Sequence, residues 1–150
     1  MTPLKESFVA EIREQGEQRG FALERGTGNR RWDFCLKRDD RTINGVVRAS
    51  MRSPGPWFHL SEPEGLCPGG TRPFQCVYDG DQHHRIFIPF SVARRYSWTH
   101  GTRRKSFELR REGARYRIHV SADSRFLDEF VDDWEALFRD VDRNTAGDAP

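Results

Sequence analysis

Two apolar runs, residues 74–78 and 85–88, stand either side of Asp79-Gly80-Asp81. Glycine accepts the backbone angles of a tight reversal, and aspartate beside it bonds its own neighbours' amides, so this pattern predicts a β-hairpin. Pro89 ends the second run because it has no amide to donate. A lone hairpin is marginal in water, so further strands or a covering helix must complete a core.

Further strands are present in the pattern. Residues 31–38 alternate, with Trp32, Phe34 and Leu36 on one face and Arg31, Asp33, Cys35 and Lys37 on the other. Residues 42–51 carry Ile43, Val47 and Ala49 in phase, and residues 57–60 form a short strand before a Pro/Gly-rich loop at 62–73. Residues 105–110 and 115–120 predict a second hairpin turning at Glu112-Gly113.

Helices flank this set. Leu4, Phe8, Val9 and Ile12 recur at helical spacing behind Thr2-Pro3, an N-cap followed by Pro at the first helical position. Residues 91–96 make one helical turn. At the far end Phe126, Phe130, Trp134, Leu137 and Phe138 fall on one stripe of a helix expected over 125–139. Asp128, Asp132, Asp133 and Asp140 lie off that stripe and give the helix an acidic outer face, a possible docking surface for a protein partner. The expected fold is α+β: a mainly antiparallel or mixed central sheet flanked by an N-terminal and a C-terminal helix. One domain spans 1–143, with a polar tail at 144–150.

Eleven Phe and four Trp give the 150-residue chain enough apolar bulk for a core, although hydrophobic residues make up only 35%. No stretch nears the ~18 apolar residues of a membrane-spanning helix, and the charged first twenty lack a signal segment. Cys35, Cys67 and Cys76 are widely spaced and form no Cys-x-x-Cys pair, the usage of a reduced, cytoplasmic protein. The net charge of +2 conceals an asymmetry: residues 91–120 hold nine Lys/Arg against two Glu (+7), and residues 121–150 three Arg against nine acids (−6).

The basic stretch carries the chemistry. Arg94, Arg95, Arg103, Arg104 and Lys105 lie within twelve residues that contain no acid. Guanidinium groups pair with phosphate in a fork, and Tyr96 and Trp98 among them offer ring faces on which unpaired bases stack. The expected partner is nucleic acid. Other chemistry finds less support. His83 and His84 are adjacent and, on a strand, point apart, so they do not share one ion. No Gly-x-Ser-x-Gly frame surrounds a serine, and no Lys-Ser/Thr follows Gly69-Gly70.

The order of elements over residues 31–89 resembles the PD-(D/E)XK, or restriction-endonuclease-like, superfamily: a leading helix, a strand with Trp32-Asp33-Phe34, then Val46-Val47-Arg48-Ala49-Ser50, Trp57-Phe58-His59-Leu60, and the hairpin strands. The resemblance implies Asp33 as the first metal-binding acid, with Glu11 and Glu24 as additional candidates, and magnesium as the cofactor of an active nuclease. The family's acid-x-Lys triplet would fall on Val46-Val47-Arg48. Val46 cannot ligate a metal, and Arg48 stabilises charge but is no base at neutral pH. The expectation is therefore a degenerate nuclease-like domain that binds DNA rather than RNA. The alternatives are an active magnesium-dependent nuclease using Asp33, Glu11 and Arg48, or an interaction module of a defence or toxin system.

Overall fold

The computed structural model describes residues 2–24, 32–52, 57–60, 71–100, 104–120 and 123–139. Helix α1 (Pro3–Glu17) begins where predicted: Lys5 N–H donates to the Thr2 hydroxyl at 3.2 Å, and Pro3 occupies the first turn. Its apolar stripe buries Phe8, Val9 and Ile12. The chain then forms β1 (Ala22–Glu24), β2 (Phe34–Arg38), β3 (Arg41–Ser50), β4 (Trp57–Leu60), β5 (Thr71–Asp79) and β6 (His84–Pro89). Helix α2 (Phe90–Arg95) follows, then β7 (Trp98–His100), β8 (Arg104–Glu112), β9 (Arg115–Val120), β10 (Asp123–Phe126), a 3-10 turn (Asp128–Phe130) and α3 (Trp134–Phe138).

The strands divide into two sheets. The first has the order β1-β2-β3-β5-β6 and is mixed, because β3 and β5 run parallel from Thr42↔Thr71 to Ser50↔Asp79. A parallel pair needs a long crossover, and here that crossover includes β4, which leaves to join the second sheet. The second sheet is antiparallel, in the order β10-β9-β8-β4, with β7 also paired to β8. Elements that the nuclease resemblance groups together are thus shared between two sheets.

Two hydrophobic cores result. One lies on the side of the first sheet that meets α2 and the second sheet, and joins Val77, Ile86, Ile88, Phe90, Tyr96, Phe107, Tyr116, Ile118 and Leu127. The other packs α1 and α3 on the opposite side through Phe8, Ile12, Leu36, Ile43, Phe74, Phe87, Leu137 and Phe138. The Asp79-Gly80 hairpin closes as predicted. Gly80 N–H donates to the Ser50 carbonyl at 2.8 Å, and a Cβ at this glycine would overlap that carbonyl oxygen.

The C-terminal helix is much shorter than the stripe implied. Its first half is instead β10 and the 3-10 turn, and Asp132 interrupts the remainder at φ 55°. Tertiary bonds override the helical pattern here: Asp132 N–H donates to the Arg85 carbonyl (2.6 Å), and Arg85 N–H donates to the Asp132 carboxylate (2.8 Å). The apolar residues serve different places. Phe130 enters the first core, Leu137 and Phe138 the second, and Phe126 lies on β10 beneath the Arg115 guanidinium at 3.6 Å.

Candidate nucleic-acid interface

Pro89 starts α2, and Phe90, Val92 and Ala93 fix its inner side in the first core. That leaves Arg94 and Arg95 exposed in its last turn, where cations oppose the negative end of the helix dipole. The helix stops at once: Ser97 bonds the Arg94 carbonyl through its N–H (3.3 Å) and its hydroxyl (2.8 Å). Two residues on, β7 begins and folds back against the start of β8. The register is Trp98↔Ser106, Thr99↔Lys105 and His100↔Arg104. The backbone therefore gathers Arg94, Arg95, Trp98, Arg104 and Lys105 at one end of the second sheet. Arg103 lies outside the described residues.

Tyr96 departs from its expected role. It is 8% exposed and belongs to the first core, with the Arg95 guanidinium 5.9 Å from its ring. A ring so buried supports the helix end and presents no face for a base.

Farther along β8 and β9 the cations pair with acids of the fold. Arg110 bonds Glu108 at 2.5 Å, Arg117 pairs with Glu112, and Arg115 grips Asp128 at 2.7 Å. The hydrogen bond from Arg115 holds the Asp128 carboxyl below its ordinary range, and the same bond raises the guanidinium. On the acidic side, Asp132 pairs with His84 and Asp133 with Arg139 at 2.7 Å. Asp128 and Asp133, read from sequence with Asp132 as an outer face for a protein partner, thus each take an internal ion pair, and Asp132 bonds the His84 ring; Asp140 lies outside the described residues.

No family model matches this chain, and no curated protein does.

The residues read as catalytic are also engaged within the fold. Asp33 sits just before β2, where its carboxylate accepts the Val47 N–H at 2.7 Å and pairs with Lys5 at 2.9 Å. Glu11 pairs with Arg85 at 2.7 Å. Arg48 lies on β3, next to Val47 and on the opposite face of the strand. The Glu24 side chain falls outside what the structure describes. Among the described residues, no three His, Cys, Asp or Glu side chains gather where one ion would fit. Cys35 is half-buried and Cys76 buried, and burial, followed by the nearby Asp33 charge, pushes the Cys76 thiol far up, so it stays protonated.

One polar cluster escaped the sequence reading. Asp79 is 0% exposed and accepts hydrogen bonds from the Tyr116 hydroxyl (2.5 Å), Asp81 N–H (3.0 Å), Gln82 N–H (3.4 Å) and Arg111 (3.3 Å). Burial pushes its carboxyl up, but the bonds from Tyr116, the two amides and Arg111 outweigh that and leave it below the ordinary range. The sequence marked Asp79 only as a turn residue. Its partner Tyr116 lies 37 positions away, and no local signal joins them.

Proposed function

We propose that this protein is a nucleic-acid-binding domain that contacts phosphates through Arg94, Arg95, Arg103, Arg104 and Lys105. The observation that carries the reading is the return of β7 on β8, which puts Arg104 across from His100 and Lys105 across from Thr99 beside the exposed end of α2. Cations adjacent in sequence stay adjacent in the fold, while those farther along β8 and β9 are neutralised by glutamates and Asp128. Arg94 and Arg95 are exposed at the β7 end. A preference for DNA over RNA, and descent from a nuclease-like ancestor that no longer cuts, rest on the resemblance in the order of elements.

Electrophoretic shift at about 50 and 200 mM salt tests the reading, since each phosphate neutralised on a duplex adds about 0.9 to the slope of log affinity against log salt. The double variant Arg94→Ala/Arg95→Ala is expected to weaken binding and to flatten that slope by about 2. Binding unchanged by the double variant, or no salt-sensitive binding, refutes it.

A further inference from the structure

We propose that acid releases the turn at residues 79–84 from the second sheet, because a lock of ionised groups holds the tips of the two hairpins together where neither core reaches.

The lock spans the two sheets. The β5–β6 hairpin turns between Asp79 and His84, and the β8–β9 hairpin between Glu112 and Arg115. Arg111 of β8 bonds Asp81 at 2.7 Å and Asp79 at 3.3 Å, and the Tyr116 hydroxyl of β9 donates to Asp79 at 2.5 Å. The Gln82 side-chain amide donates to the Gly113 carbonyl at 3.1 Å. All but the last of these bonds end on a carboxylate. Asp79 also accepts the Asp81 and Gln82 N–H groups, so the residue that clamps the turn to the second sheet also shapes it. Apolar side chains stop short of the tips. Val77, Ile86 and Tyr116 belong to the first core, and none of residues 79–84 and 111–115 belongs to either core.

Every charge that acid changes at the lock changes toward positive. Asp79, Asp81 and, on the C-terminal return, Asp132 lose negative charge. His84 stands opposite Asp79 on β6, bonds Asp132 and meets the Tyr116 ring edge-on at 5.9 Å; it gains positive charge. Arg111 keeps its charge. Glu112 and Arg115, next along the second hairpin, are occupied by Arg117 and Asp128. The lock therefore passes from three carboxylates around one guanidinium to two cations that repel, one on each hairpin. Burial pushes the Asp79 carboxyl up, but the bonds from Tyr116, the two amides and Arg111 hold it below its ordinary 3.8. Its grip is thus complete above that value and is lost as pH falls below it toward the folded pKa.

Hydrogen–deuterium exchange followed by mass spectrometry, near pH 6 and near pH 3 and corrected for the chemical exchange rate, reads the release. Peptides covering 79–84 are expected to lose protection about tenfold or more in acid, the scale of one bond to a charged group, while those from α1 and β3 change little. Asp79→Asn keeps the shape of the carboxylate without its charge, and should show the same local loss already near pH 6. Tyr116→Phe leaves the turn's own amide bonds in place; it serves where Asp79→Asn does not fold, and should also raise exchange over 79–84 near pH 6. A turn that stays protected in acid, or that opens only in step with α1 and β3, overturns the lock. So does a folded variant whose turn is as protected near pH 6 as that of the wild type.

Discussion

Replacing Tyr116 by Phe removes one oxygen from the seam between the two sheets and leaves every carbon in place. The hydroxyl donates at 2.5 Å to Asp79, a carboxylate with 0% exposure at the end of β5. Asp79 would keep two backbone amides and Arg111 but lose its shortest bond. A hydrogen bond to a buried charge contributes about 1.5–3 kcal/mol, against about 0.5–1.5 for a neutral pair. For a chain of this size each kcal/mol moves the melting temperature by about 2–4 °C, so Tyr116→Phe should melt roughly 3–12 °C lower at neutral pH. The acid dependence has a definite sign. The Asp79 carboxyl in the folded protein lies below its ordinary value of 3.8. It therefore contributes stability above that value, and the contribution is lost as pH falls below it toward the folded pKa. Once Asp79 is protonated, the Tyr116 bond joins two neutral groups, so the gap between wild type and variant should narrow in acid. Urea unfolding followed by circular dichroism at neutral pH and near pH 3 measures both gaps. Equal stability at neutral pH, or a gap that widens in acid, would refute the reasoning.

Asp33→Ala should destabilise the fold by about 1–3 kcal/mol, because it leaves the Val47 amide unpaired and releases Lys5; denaturant midpoints that match wild type would deny Asp33 this structural role. Gly80→Ala should cost about 1–3 kcal/mol or more, since the new methyl overlaps the Ser50 carbonyl and lies 2.7 Å from the Met51 Cα, both backbone atoms. Thermal melts check it, and a wild-type melting temperature would show that the turn relaxes freely.

The elements legible in the sequence are those whose signals are local. The α1 cap at Thr2 and the reversal at Asp79-Gly80 each need only a few neighbouring residues, and both formed where expected. The parallel pairing of β3 with β5 left no such trace, because it depends on where a crossover of some twenty residues delivers the chain. The C-terminal stripe misled for a related reason. Phe126, Phe130, Trp134, Leu137 and Phe138 satisfy helical spacing, but the fold feeds two cores with them, and backbone bonds between Asp132 and Arg85 outweigh the local preference. The return of β7 on β8 keeps the backbone positions of Arg104 and Lys105 near α2, which sequence proximity alone suggested. Tyr96 was not legible, since an aromatic beside arginines fits a buried helix end as well as a binding surface.

A sheet whose last strand is open to water presents free amides and carbonyls that can recruit strands from other molecules. Here the chain shields itself. Val131 bridges Ile86, while Asp132 engages both backbone groups of Arg85 and turns aside in a left-handed kink that no further strand can extend. At the opposite margin, β1 offers a stranger only three residues to pair with. The C-terminal return is therefore a guard against fibre growth, and a chain cut before Leu127 would lose it along with its contribution to stability.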